Sequence, residues 1–207
     1  MKKVVPKSAS AKANDLNSRI AQRVRDLRGE RKLSLDKLAD KCRVSRSMIS
    51  LIERGKASAT AVILEKLAAG LGVSLASLFE NPATPPNPVS LAAEHTPWRD
   101  PQSGYVRRNL SPANFPNPIQ LVDVELPAEA RVHYDSTRDI LIYQQIWVRT
   151  GTLEVTVGSD AFRLEEDDCL AMQLNAPTSF RNPTKKPVRY LVALVGDQSR
   201  SHHTRSR

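Results

Sequence analysis

Ser34-Leu35-Asp36-Lys37-Leu38-Ala39-Asp40-Lys41-Cys42-Arg43-Val44-Ser45-Arg46-Ser47-Met48-Ile49-Ser50-Leu51-Ile52-Glu53 is the stretch on which the reading of this chain turns. Apolar residues recur at helical spacing on both sides of Cys42-Arg43-Val44, and a serine suited to an N-cap precedes each run, at Ser34 and Ser45. So short a connection leaves room only for a tight corner, which is helix-turn-helix spacing. Ala39 falls where the two helices cross. Leu38, Val44, Ile49 and Ile52 are expected on the buried side, leaving Arg46, Ser47, Ser50 and Leu51 exposed on the second helix.

The helical period extends outward in both directions, through Leu16, Ile20, Val24 and Leu27 before the pair, and through Ile63, Leu64, Leu67, Leu71 and then Leu75, Leu78, Phe79 after it. Five short helices are predicted. Their N-caps are Asp15, Ser34, Ser45, Thr60 and Ser74, and Gly55 and Gly72 sit where the third and fourth should stop. Nine of the fourteen prolines then fall between Pro82 and Pro118, densest over residues 81–88, a composition that makes a semi-rigid linker. Beyond it the period drops to two, as in Gln120 to Leu126, Leu153 to Val157 and Val188 to Leu194, with turn signals at Pro127, Gly151, Gly158 and Asn182-Pro183. That pattern predicts an antiparallel sandwich or barrel. The expected organisation is a flexible basic arm (1–13), a helical domain (14–80), a proline-rich linker (81–103), an all-β domain (104–197) and a basic tail (198–207).

Charge separates the two halves. Of the formal +9, residues 1–80 carry all of it, with 17 Lys/Arg against 8 Asp/Glu, while residues 81–207 balance 14 against 14. The first segment is therefore expected to meet a polyanion and the second is not. With 207 residues, 40% of them hydrophobic, the chain can bury one or two cores, which excludes disorder along its length. No run of 18 apolar residues occurs, and the lysine-rich start lacks the apolar segment of a signal peptide, so a cytoplasmic protein without a membrane partner is expected. Cys42 and Cys169 lie far apart without metal-site spacing and read as reduced structural thiols.

Leu33-Ser34, Leu38-Ala39, Val44 to Ser50, Ile52-Glu53-Arg54-Gly55-Lys56 and Leu67-Ala68 together resemble the lambda-repressor-like, or Xre, family of DNA-binding domains over roughly residues 16–80. The resemblance implies that the second helix of the pair enters the major groove of double-stranded DNA. By position, Arg46, Ser47, Ser50 and Leu51 would face base edges. Arg46 suits guanine O6 and N7, and Leu51 a thymine methyl. Ser34, Arg43, Arg54 and Lys56 would contact phosphate. Two positions depart from the family pattern: Leu35 stands where a polar Gln usually meets the DNA backbone, and Arg43 where the turn usually has Gly. Either Arg43 adopts a left-handed conformation at a cost of about 1 kcal/mol, or the turn differs.

The strand series from about Asn109 to Val195 resembles a cupin, a small double-sheet barrel, most closely in Ile146 to Val157 and Asp167 to Asn182. Aligning Gly151 and Asn182 with that family puts Gln144 and Thr178 at two of its metal-ligand positions, and no histidine falls between Asp135 and Asp139. Gln and Thr are poor ligands for a transition metal, so no metal and no cofactor are expected. An unusual metal site from His133, Asp135 or Asp139 is the alternative. Without metal, such a barrel can still enclose an organic effector, with Ile142, Gln144, Ile146, Val148, Thr178 and Phe180 facing inward and Tyr134, Arg138 or Met172 at the mouth.

The combination implies a one-component transcriptional regulator, not an enzyme. It would dimerise through its barrel, read a near-palindromic operator and sense an unknown small organic effector, with the stiff Pro82, Pro85, Pro86 and Pro88 connection transmitting the change. Two alternatives are a metalloenzyme of the hydroxypropylphosphonate epoxidase type, which also joins an Xre-like domain to a cupin, and an antitoxin-like or adaptor protein with a protein partner.

Overall fold

A computed structural model of the chain describes residues 7–80 (7–14 by their backbone), 82, 84–135 and 142–196. Four α-helices come first: α1 (Lys7–Glu30), α2 (Leu35–Cys42), α3 (Arg46–Glu53) and α4 (Ala61–Leu71). The capping serines and threonine act as the sequence implies. Ser34 Oγ accepts from the N–H of Lys37, Ser45 Oγ from Met48, Thr60 Oγ1 from Ile63 and Ser74 Oγ from Ser77. Gly72 closes α4 in the left-handed region, at φ 65°. The glycine with the tightest surroundings is Gly70, where a Cβ would lie 2.8 Å from Cys42 Cβ, so its absence lets α4 cross directly over the end of α2.

Three expectations need correction here. The fifth helix is a 3-10 helix (Leu75–Phe79), because only five residues separate the Ser74 cap from the extended Glu80 that leads into Pro82. Asp15 caps nothing: α1 already runs from Lys7, so residues 7–13 are helix rather than flexible arm. Ala9, Ala11 and Ala13 favour helix by propensity without displaying an amphipathic period, which is why apolar spacing starts the helix too late. Residues 1–6 and the tail from 197 lie outside the described residues.

The β domain consists of β1 (Trp98–Arg99), β2 (Val106–Asn109), β3 (Ile119–Leu126), β4 (Arg131–Tyr134), β5 (Ile142–Thr150), β6 (Leu153–Val157), β7 (Asp160–Leu164), β8 (Cys169–Gln173), β9 (Thr178–Arg181) and β10 (Val188–Gly196). Two antiparallel sheets result, one ordered β1-β2-β3-β10-β5-β8 and the other β4-β9-β6-β7. Period two sets the inner rows. Ile142, Gln144, Ile146 and Val148 of β5 are buried while Tyr143, Gln145, Trp147 and Arg149 are exposed. On β10, Val188, Tyr190, Val192 and Leu194 are the buried set. Across the gap, Phe180 of β9 stacks on Tyr190 with ring centroids 6.2 Å apart. Fully buried Asn182 ties the barrel's end, its Nδ2 donating to the carbonyls of Leu126, Pro127 and Lys186 and its Oδ1 accepting from Thr184.

The linker expected over 81–103 ends early. Trp98 pairs with Arg107 as the first strand of the larger sheet and is buried, with its ring edge-on to Phe79 at 5.5 Å. Asp100, also buried, accepts from the N–H of Ala61 at 2.8 Å, so the β domain supplies a cap for α4. Ser74 Oγ donates to Gln120 of β3, and Asn109 Nδ2 donates to the Ala76 carbonyl. The two domains thus share one continuous apolar core. Any signal between them has these contacts as its route, and the prolines at 82–88 span an exposed stretch beside it.

Candidate nucleic-acid interface and barrel cavity

Two helices and a corner build the first site. Leu38, Val44, Ile49 and Ile52 are buried, and the same period turns Arg46 and Ser47 fully outward with Ser50 and Leu51 half-exposed beside them. Arg46 Nε lies 3.2 Å from Asp36 Oδ1, and both side chains are about two-thirds exposed (66% and 71%). An ion pair that open contributes little to stability, so Arg46 can exchange Asp36 for another acceptor at small cost. Ser47 Oγ is within 3.2 Å of the capping Ser45 Oγ.

The four candidate phosphate contacts surround this face. Ser34 is committed as a cap by its hydroxyl, leaving the first N–H groups of α2 directed outward. Arg54 is held by its Nε donating to the Ser50 carbonyl at 3.0 Å, and Lys56 is exposed just past Gly55, which takes φ 66°. Arg43 is exposed at the corner in the left-handed region, at φ 53° and ψ 39°. Of the two alternatives for that turn, the strained one is adopted. Leu35, in the place of the family's usual polar residue, packs against the helical core.

Arg43→Gly is accordingly expected to raise stability by up to about 1 kcal/mol, the left-handed penalty being offset in part by the freedom glycine adds to the unfolded chain. The same variant should bind DNA more weakly through loss of a phosphate contact. Paired chemical denaturation and DNA titration check both signs at once.

Behind the face lies an ion pair that periodicity did not reveal. Glu53 ends α3 buried, and Arg28 of α1 grips it with Nε to Oε1 at 2.7 Å and Nη2 to Oε2 at 2.8 Å. This hydrogen bonding raises the Arg28 pKa. Arg28 Nη1 also donates to the Leu33 carbonyl, and Arg25 to the Glu53 carbonyl. Glu53 follows Ile49 by four positions, so it shares that residue's inward side, and that spacing was the available signal.

The second site is a cavity of about 80 Å³ between the sheets. Of the residues proposed for it, Ile142, Gln144, Thr178 and Phe180 line it, together with Tyr134. Ile146 and Val148 do not: both are fully buried further along β5, where the sheets close on each other. Gln144 Nε2 approaches Met172 Sδ at 3.7 Å. Arg138 and Asp139 lie outside the described residues. His133 is exposed on β4, on the side opposite Val132 and Tyr134, and pairs with Asp135 at 2.8 Å instead of facing the cavity. The polar groups that line it among the described residues are the Gln144 amide, the hydroxyls of Thr178, Ser74 and three tyrosines, the Arg107 guanidinium and the Glu65 carboxylate, with no histidine.

Sequence reasoning missed Tyr105, Arg107 and Tyr190 in the cavity wall, as well as Glu65, Ser74 and Leu75, which reach it from the helical domain. Tyr190 was legible, since it alternates with Val188 and Val192. The helical contributors were not, because domain packing carries no sequence period. Among the described helices none is long and apolar enough to cross a membrane.

A helix-turn-helix family profile, HTH_3, matches residues 24–78. Control protein C.MunI from Mycoplasma sp is 38% identical over 69 residues, which are 33% of this chain and 93% of that protein. Among solved structures, an HTH_3 family transcriptional regulator from Vibrio cholerae superposes with a TM-score of 0.72 at 24% identity, over 87% of this chain and 97% of that one. Hydroxypropylphosphonic acid epoxidase from S. wedmorenis gives a TM-score of 0.43 at 14% identity, over 87% and 98%.

Proposed function

From a chain that belongs to the Xre-like helix-turn-helix family HTH_3 and is a DNA-binding transcription regulator, we propose a homodimeric cytoplasmic protein that reads a near-palindromic operator and senses a small organic effector in its barrel. The exposed row of α3 carries the reading. Arg46, Ser47, Ser50 and Leu51 meet base edges in the major groove, while Ser34, Arg43, Arg54 and Lys56 anchor the domain on phosphates. The role is regulatory and not enzymatic. An epoxidase-type centre needs two histidines and a carboxylate, whereas the described histidines, His95 and His133, both lie outside the cavity. The effector acts by favouring one arrangement of the helical domains over another, and a coupling of about 1–3 kcal/mol would change operator affinity roughly 5- to 150-fold.

One short helix reads one half-site, so operator affinity depends on pairing. The outer face of the larger sheet suits a second copy. Tyr143 (47% exposed), Trp147 (40%), Ile119 (46%) and Leu121 (40%) all point away from the core, with the half-buried Leu191, Ala193 and Val195 of β10 between them. A contiguous apolar face of that kind on a soluble domain marks an association surface. Sedimentation equilibrium of the full chain is expected to give a dimer at ten micromolar. The double variant Tyr143→Glu/Trp147→Glu should weaken dimerisation at least about 100-fold, since central aromatic anchors contribute some 2 kcal/mol or more each. A wild-type monomer, or a double variant that stays dimeric, would refute this pairing.

A further inference from the structure

We propose that the barrel cavity binds a small organic monocarboxylate, held by the Arg107 guanidinium and closed over by the helical domain. The proposal rests on the effector-sensing reading above and assigns that effector its chemical class. Arg107, on β2, is 6% exposed, lines the cavity and makes no ion pair among the described residues. Its Nε reaches Asn109 Oδ1 at 3.3 Å and its guanidinium lies over the Phe79 ring, with Cζ 5.1 Å from the centroid. Nη2 is buried with no hydrogen-bond partner. Guanidinium donors are planar and matched to carboxylate oxygens, and a buried donor without an acceptor is costly, so an entering carboxylate completes the hydrogen bonding that Nη2 lacks.

The rest of the wall defines the body of that anion. Tyr105, Tyr134 and Tyr190 line the same space as Arg107. Burial pushes the phenols of Tyr134 and Tyr190 well above their ordinary range, so both stay protonated and can donate. Beyond them the lining is aliphatic and aromatic, with Val124, Ile142 and Leu194 among its members. One water needs about 10–15 Å³ of such space, so 80 Å³ admits roughly five to eight non-hydrogen atoms. The charge is limited to a single negative one because Arg107 is the one cationic side chain that lines the space among the described residues, and the apolar wall offers a second carboxylate no partner.

Glu65, Ser74 and Leu75 also give the ligand its leverage. They belong to the helical domain, and α4 crosses α2 at Gly70 and Cys42, one corner away from the base-reading helix. A ligand that shifts Glu65 thus moves the element on which α2 rests, and Leu75 opens the 3-10 helix that follows and packs on it.

Isothermal titration of the full-length protein with 3-methylbutanoate, against 3-methylbutan-1-ol and 3-methylbutylammonium as neutral and cationic probes of the same skeleton, tests the assignment. The carboxylate is expected to bind, the alcohol at least about 10-fold more weakly and the ammonium not at all. Arg107→Met should weaken carboxylate binding about 10- to 150-fold, the range of a charged hydrogen bond, while the unliganded variant unfolds at or above the wild-type temperature because a buried charge has gone. Tyr134→Phe, which removes one donor and leaves the packing, should cost about 3- to 10-fold. Equal binding of acid and alcohol, unchanged binding by Arg107→Met and Tyr134→Phe, or no binding by any of the three- to six-carbon monocarboxylates overturns the proposal. Operator titration with bound 3-methylbutanoate separates the two layers: carboxylate binding that leaves operator affinity unchanged overturns the effector reading and upholds the anion site.

Discussion

Between 50 mM and 200 mM salt the affinity of this protein for duplex DNA is expected to fall by about 10³- to 10⁵-fold. The whole formal charge of +9 lies in residues 1–80, and the arginines and lysine around α3 are exposed on one face. If a dimer neutralises about 6–10 phosphates, each neutralisation releases condensed counterions and contributes about −0.9 to the slope of log affinity against log salt. Fluorescence anisotropy over a salt series reads that slope. A slope near zero would mean that the excess charge serves solubility alone, and the helical domain would then lack its assigned polyanion.

Glu53→Ala is expected to destabilise the protein by about 3 kcal/mol, the low end for breaking a buried ion pair, because Arg28 keeps a fifth of its side chain in water. The cost comes from what is left behind. Arg28 remains largely enclosed with two of its donors unmet, between α1 and the end of α3, where removal also leaves a small void. Glu53→Gln retains an acceptor for one donor and should lose less. Urea unfolding of the three proteins gives the ranking, and an alanine variant as stable as wild type would show that the pair does not set how α3 is mounted. If DNA binding of the alanine variant at low denaturant is also weakened, the ion pair fixes the recognition helix as well as the fold.

Much of the helical domain was legible because its signals are local. Ser34, Ser45, Thr60 and Ser74 mark their helix starts through side-chain capping, which depends on the three following residues and nothing distant. Asp15 misled because an acceptable cap residue can equally sit inside a helix when alanines precede it. In the barrel, alternation placed Ile142, Gln144, Thr178 and Phe180 on the inner side, yet it could not tell lining from filling, so Ile146 and Val148 were assigned to a space that the closing sheets occupy. Asp100, Arg107 and Glu65 illustrate the remaining limit. Each owes its position to the contact between domains, and a charged residue in isolation reads as solvated until the surface that buries it is known.

The central claim is that α3 reads bases, and selection of binding sites from random duplex DNA by the full-length protein tests it most directly. Wild type is expected to enrich a near-palindromic sequence with half-sites about one or two helical turns apart. Arg46→Ala should lose its base preference at one position per half-site, at a cost of about 1–3 kcal/mol, whereas Lys56→Ala should keep the same motif and bind every sequence more weakly. No enriched sequence for the wild type, or an Arg46→Ala variant that selects an unchanged motif, would contradict the account.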